Sequence, residues 1–347
     1  NISSKCKFID VGNSGTTLRI QTALCALASH PVKFDGDNSI RSRPMAPLFS
    51  ALEKLGVSVL ESTNGKCPFV IQGPIKGGKT TVNGISSQFL TALLIACPLA
   101  EGDTEIVVEN LHEKPYVEMT LDWLRQMNIQ FENRGLDWFY IKGKQQYKAF
   151  DRIIPADFSS ATFPACAAAI SAGKVTLLGL DPNDTQGDKA LFNYLASMGC
   201  QVEWKKQGND WTLTVAAPAR LQGQILDLNA TPDALPAMAA TACFATGTTR
   251  LINVPNARIK ETDRIAVMAS ELSRMGASIT ELPDGLVIEG GRGLSGTEVQ
   301  GHDDHRVVMA LAIAGLACQG TTTVDTAEAA AVTYPGFLEL LGADMIQ

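Results

Sequence analysis

The sequence predicts an α/β (α+β) protein built from a repeated unit, and three observations carry that expectation. At 347 residues, 45% of them apolar, the chain has material for roughly two domains, each with a core of its own. Segments of helical and of strand periodicity alternate along its length, which marks mixed folds rather than bundles or sandwiches. Five times a small polar or acidic cluster opens an Ala/Leu-rich helical run: 72 residues separate Gly15 from Ser87, 73 separate Ser87 from Ser160, 73 separate Ser160 from Asp233, and 71 separate Asp233 from Asp304. Spacing that regular signals an internal repeat.

The openings are Asn13-Ser14-Gly15-Thr16, Ser86-Ser87-Gln88, Ser159-Ser160-Ala161, Pro232-Asp233-Ala234 and Asp303-Asp304-His305-Arg306. Ser and Asp accept hydrogen bonds from the first N–H groups of a helix, so these clusters read as N-caps. A second helix in each unit ends at a Gly- or Asn-bearing stop: Leu55-Gly56, Met127-Asn128, Met198-Gly199, Met275-Gly276 and Leu341-Gly342. Four stops are followed by an alternating strand pair, such as 278–281 and 286–289 around the turn tripeptide Pro283-Asp284-Gly285. Each unit thus reads helix, strand, helix, strand, strand. Helix amino ends that converge offer partial positive charge and N–H groups to an anion, although at Ser159-Ser160 plain capping weighs equally.

Composition narrows the function. Thirty-six acidic residues against 29 basic ones leave a formal charge of −7, which excludes a general nucleic-acid or anionic-membrane binder. The longest apolar run, 307–318, is 12 residues and too short for a bilayer, and Asn1-Ile2-Ser3-Ser4-Lys5 shows no signal peptide. Eight cysteines lie singly, with no CxxC pair, and read as reduced thiols of a cytoplasmic protein.

Two motif matches fail on context. Gly73-Pro74-Ile75-Lys76-Gly77-Gly78-Lys79-Thr80 fits the phosphate-loop pattern, but β-branched Thr80-Thr81-Val82 and the turn Asn83-Gly84 follow where a helix should begin. Gly291-Arg292-Gly293-Leu294-Ser295-Gly296 fits a dinucleotide pattern and is likewise followed by a strand-like segment, Thr297-Glu298-Val299-Gln300. His302-x-x-His305 has no third ligand cluster, so no metal is expected.

Chemistry concentrates elsewhere. In a chain sparing with charge, Lys260-Glu261-Thr262-Asp263-Arg264 sets Lys260 and Arg264 four residues apart, read as one helix face. Further cations stand at Asp304-His305-Arg306, at Arg41-Ser42-Arg43-Pro44 and at Arg19, one turn into the first helix. Arginines placed at element starts in an acidic protein suit a small polyanion.

Together with Gly12-Asn13-Ser14-Gly15-Thr16, Ser86-Ser87-Gln88-Phe89-Leu90-Thr91-Ala92-Leu93-Leu94, Lys114-Pro115-Tyr116 and Asp233, these motifs resemble, in order and over essentially the whole chain, the 5-enolpyruvylshikimate-3-phosphate synthases. The resemblance implies two lobes of three βαβαββ units each, with the active site in the cleft between them. Five of the six units are recognised, and the lobes are set at 1–154, lacking its first repeat, and 155–347. It implies transfer of the enolpyruvyl group of phosphoenolpyruvate to the 5-hydroxyl of shikimate 3-phosphate, with loss of phosphate and no cofactor or metal.

By position, the resemblance implies that Ser86, Ser87, Gln88, Tyr116, Asp233, Asn256 and Lys260 hold shikimate 3-phosphate. Gly15, Arg43, Gln88, Arg264 and Arg306 would lie against phosphoenolpyruvate. The resemblance implies a catalytic set of Asp233, Glu261 and Lys260, with Asp233 the base for the hydroxyl and Glu261 the proton donor and acceptor at C3. Three departures stand out. Glu113 takes the place of a serine that contacts the substrate phosphate in many members, Val332 that of a lysine, and the family's amino-terminal Lys, Ser and Arg have no counterpart here. The expected partners are the two substrates, without nucleic acid or membrane, and two alternatives stay open: a monomeric enzyme, or a catalytically incomplete fragment or subunit that needs a separate amino-terminal segment.

Overall fold

A computed structural model describes residues 6–208 and 210–343, so the amino-terminal pentapeptide read for a leader lies outside the described residues. Its contacts divide the chain into two compact lobes, Asn1–Arg152 and Ile153–Gln347.

The first lobe holds two copies of one topology. The first copy runs β1 (Phe8–Asp10), α1 (Gly15–Cys25), β2 (Val32–Asp35), α2 (Asn38–Ser42), α3 (Ala46–Glu53), β3 (Ser58–Leu60) and β4 (Phe69–Gln72). Its sheet order is β1-β2-β4-β3, with β1 parallel to β2 and the remaining pairs antiparallel. The second copy runs β5 (Gly78–Asn83), α4 (Ser87–Ala96), β6 (Thr104–Glu109), α5 (Lys114–Gln126), β7 (Phe131–Arg134) and β8 (Trp138–Ile141), in the matching order β5-β6-β8-β7. A parallel pair needs a crossover helix, so each opening helix is the link between the first two strands of its repeat. α1 and α4 pack together, joining Leu18 and Ala23 with Phe89, Leu90 and Leu93 in one core.

The second lobe continues the pattern with α6 (Phe158–Ile170), β9 (Lys174–Leu178), α7 (Ala190–Ser197), β10 (Gln201–Gln207) and β11 (Asp210–Ala216) around a sheet ordered β10-β11-β9. Next come β12 (Ile225–Asp227), α8 (Leu235–Cys243), β13 (Thr248–Ile252), α9 (Arg264–Arg274), β14 (Ser278–Leu282) and β15 (Gly285–Glu289), again ordered β12-β13-β15-β14. Last are β16 (Glu298–Val299), α10 (His305–Ala317), β17 (Thr323–Val324) and α11 (Phe337–Leu341). α6, α8 and α10 are apolar on nearly every side and pack on one another, as helices without a polar face must. α9, with its apolar stripe of Ile265, Met268 and Leu272, covers that core from outside.

All five repeats expected from the sequence appear, and four of them open on a strand (β1, β5, β12 and β16) that the residue-by-residue reading left out and the resemblance implied. Both rejected glycine motifs lead into strands, β5 and β16. Gly73 serves packing: a Cβ there would collide with the Ala26 carbonyl oxygen. All eight cysteines are unpaired, and burial pushes the thiols of Cys97, Cys166 and Cys243 up to about 12. Among the described residues no helix is long and apolar enough to cross a membrane, and no three His, Cys, Asp or Glu side chains are placed so that they could hold a metal ion.

Candidate active site

In the first lobe, α1 starts because Ser14 accepts a hydrogen bond from the Thr17 N–H. Over that amino end two buried guanidinium groups converge. A Cβ built on Gly15 would lie 2.6 Å from Nη1 of Arg19 and 2.6 Å from Nη1 of Arg43, so only a glycine lets both approach. Arg19 donates to Gln88 Oε1 at 2.7 Å, and Gln88 Nε2 donates to Thr16 Oγ1 at 3.0 Å, locking α4 to α1. Arg43 Nη2 donates to Ser39 Oγ at 3.1 Å and lies 3.4 Å from Asn13 Oδ1. Two cations beside the positive end of a helix dipole make a cradle for a doubly charged anion.

The amino end of α4 is arranged differently from its sequence reading. Ser86 is the N-cap residue but its side chain makes no capping bond. The carboxylate of Glu113 does that work, accepting from the Ser87 N–H at 3.2 Å and from Ser87 Oγ at 2.9 Å. Tyr116 sits in the first turn of α5, which Glu113 precedes.

In the second lobe, Arg264 is the hub and is about 1% exposed. Its Nε and Nη2 donate to the two oxygens of Asp304 at 2.8 and 3.0 Å, its Nη1 to Asp233 at 2.9 Å, and its Nη2 also to Glu261 at 2.6 Å. Arg306 Nη2 stands 3.2 Å from Asp233 and Lys260 Nζ 3.6 Å from it. Three carboxylates thus interleave with three cations. Burial alone would raise the Asp233 carboxyl, but Arg306, Lys260 and Arg264 outweigh it and hold it far below the usual carboxylate range. Asp304 is also lowered, burial being overcome by Arg264, whereas burial, Arg306 and Arg264 hold His305 down to about 4.

Several expectations need correction. Lys260 and Arg264 do not share a helix face: Asp263 caps α9 by accepting the Ala266 N–H, so the helix begins at Arg264 and Lys260 ends the 3-10 turn Pro255–Ile259. Shared Asp233 joins them instead. Asp233 lies in the 3-10 turn Pro232–Ala234 and makes no side-chain cap; its carboxylate serves the cations. Asp157, rather than Ser159 or Ser160, caps α6. Asp304-His305-Arg306, read as a cationic site, contributes its aspartate as the anchor of Arg264, assisted by Thr262 Oγ1 at 3.0 Å. Asn256 is buried in the 3-10 turn before Lys260, and Val332 ends the 3-10 turn Ala327–Val332 with its own side chain exposed. Sequence reasoning misses the roles of Asp304, Thr262 and Thr16; for Asp304 the available signal is an acid standing directly before the pair His305-Arg306.

The first lobe thus carries an anion cradle and the second a cluster of interleaved acids and cations, both suited to polyanionic substrates. The model of the family described as EPSP synthase (3-phosphoshikimate 1-carboxyvinyltransferase) matches residues 1–341. The chain is 50% identical over 341 residues to a 3-phosphoshikimate 1-carboxyvinyltransferase of Acetivibrio thermocellus, covering 97% of this chain and 79% of the relative. It is 49% identical over 332 residues to the protein of that name from Ruminiclostridium cellulolyticum, covering 95% and 77%. The structure of an EPSP synthase from Acinetobacter baumannii superposes with a TM-score of 0.77 at 28% identity, covering 97% of this chain and 78% of that one. The chain belongs to the EPSP synthase family, and its fold is the enolpyruvyl transferase fold.

Proposed function

We propose that this protein transfers the enolpyruvyl group of phosphoenolpyruvate to the 5-hydroxyl of shikimate 3-phosphate and releases phosphate, a step of aromatic amino acid biosynthesis carried out in the cytoplasm. The observation that carries the reading is half identity to a 3-phosphoshikimate 1-carboxyvinyltransferase over 97% of the chain. Asp233 is the base for the attacking hydroxyl, and Glu261, which Arg264 orients, moves the proton at C3. Lys260, Asn256, Ser86, Ser87, Gln88 and Tyr116 hold shikimate 3-phosphate. Gly15, Arg43, Gln88 and Arg306 hold phosphoenolpyruvate, with the helix end of α1 and its arginines stabilising the departing phosphate. Arg264 serves a substrate carboxylate only by exchanging one of its three acidic partners.

The test is incubation with both substrates, following released phosphate and the enolpyruvyl ether by phosphorus and proton NMR. It is run on the chain alone and on the chain joined to the amino-terminal portion of a relative. Product in either preparation supports the assignment. No product in both, with folding verified by circular dichroism, overturns it.

A further inference from the structure

Glu113 is an unusual residue for its position. It is 2% exposed, and its backbone is left-handed at φ 54°, ψ 41°, a region that residues with side chains sparsely occupy. It stands directly before α5 and sends its carboxylate across to α4, where Ser87 donates both its N–H and its hydroxyl. A carboxylate on the first N–H groups of a helix occupies the place, and satisfies the donors, that a bound phosphate uses. Resting on the reading above, in which Ser87 is a ligand of the substrate phosphate, that seat is already filled by an anion belonging to the protein.

We propose that Glu113 is a specificity-determining residue: its carboxylate acts as a built-in counterpart of the substrate phosphate at Ser87. The phosphate of shikimate 3-phosphate has to share or displace it, so phosphate contributes less to recognition here than the open cradle would allow. The donors of Ser87 are engaged in the free protein, so an incoming phosphate competes with the Glu113 carboxylate for them. Discrimination between shikimate 3-phosphate and phosphate-free shikimate is accordingly shallow.

The experiment is calorimetric titration of the full chain and of Glu113→Ser and Glu113→Gln with shikimate 3-phosphate and, separately, with shikimate. The preference for the phosphorylated compound, taken as the ratio of the two dissociation constants, should rise at least tenfold in Glu113→Ser, through tighter binding of shikimate 3-phosphate. Glu113→Gln, which keeps the side chain's size and removes its charge, should fall between and carries the test if the serine variant does not fold. In a Ser87→Ala background the gain should collapse to less than threefold, an outcome that a merely structural role for Glu113 does not produce. An unchanged ratio, or weaker binding of shikimate 3-phosphate in both Glu113 variants, overturns the inference and leaves the proposed function intact. Binding of neither compound to any of the proteins, titrated alone and joined to the amino-terminal portion of a relative, overturns the proposed function, and this inference with it.

Discussion

Replacing Asp304 by Asn isolates the anchor of the second-lobe cluster. The Arg264–Asp304 pair is almost fully withdrawn from solvent, at 1% and 0% side-chain exposure, and is closed by two hydrogen bonds of 2.8 and 3.0 Å. Removing one partner of such a pair costs ~3–5 kcal/mol because the other charge stays buried. Here the cost falls at the lower end, about 3 kcal/mol, since Arg264 keeps Asp233 and Glu261 at 2.9 and 2.6 Å. The cap on α10, where Asp304 accepts the Arg306 N–H, survives because Asn caps a helix as well as Asp does. At ~2–4 °C per kcal/mol for a lobe of this size, the melting transition should drop by ~6–12 °C in scanning calorimetry at pH 7. Salt should change this little, because a buried pair is poorly screened. Acid should erase it. The folded Asp304 carboxyl lies below its unfolded value, so its contribution is complete above the ordinary carboxylate pKa of ~3.9 and is lost as pH falls through the lowered one. A loss under ~2 °C at pH 7, less than one kcal/mol is worth, or a gap that persists undiminished in strong acid, would refute the view that this pair anchors the cluster.

His305→Gln tests the buried imidazole. Its folded pKa of about 4 lies below the unfolded value, so the unfolded chain binds the extra proton between about pH 4 and 6.5 and stability rises with pH through that window. Urea titrations should show wild-type stability gaining up to ~1.4 kcal/mol per pH unit there, and the variant a flatter profile; equal slopes count against the burial of a neutral histidine. Gly15→Ala puts a methyl group 2.6 Å from two guanidinium nitrogens, whose flexible ends can give way. The variant should fold with its melting point nearly unchanged, yet bind phosphoenolpyruvate ~10-fold or more weakly, the value of one lost charge-assisted hydrogen bond; unaltered affinity removes Arg43 from that ligand set. Asp233→Asn should keep circular dichroism and lose ~10²-fold or more in kcat, the scale of a general base, and near-normal turnover would remove that assignment.

Regular features of the fold are legible because they recur. Polar clusters every seventy-odd residues locate α1, α4, α6, α8 and α10, Gly or Asn stops locate the ends of α3, α5, α7, α9 and α11, and Gly342 does end α11 in a left-handed cap at φ 70°. What escapes is too short or depends on tertiary partners. β12 spans three residues and β16 two, and no period can be read from either. Lys260 is misplaced by the sequence reading because residue type does not reveal which of several polar residues will cap α9, and Asp263 takes that role. Glu113 stands out as a departure, but the left-handed backbone that turns it onto Ser87 is invisible in its identity. Asp304 reads as part of a cationic site because its partner Arg264 lies 40 residues away in sequence.

Charge pairing within the second-lobe cluster also bears on how the candidate base would work. Asp233 faces Arg264 at 2.9 Å, Arg306 at 3.2 Å and Lys260 at 3.6 Å, and the last two are the cations assigned to substrates. Before substrate binds, the carboxylate is held far below its usual range by these cations and is a weak base. An anionic substrate on Arg306 or Lys260 divides their attraction, so the proton affinity of Asp233 rises as the substrates bind. Base strength is then produced by the reactants themselves, and a solvent-only site keeps the carboxylate committed to its cations. The consequence is a split between two pH profiles. The acidic limb of kcat, which reports the loaded enzyme, should lie at higher pH than the acid transition of Asp233 followed by carbon NMR in the unloaded protein. Coincident transitions would show that Asp233 has the same basicity with and without substrate, and would rule out its control by Arg306 and Lys260.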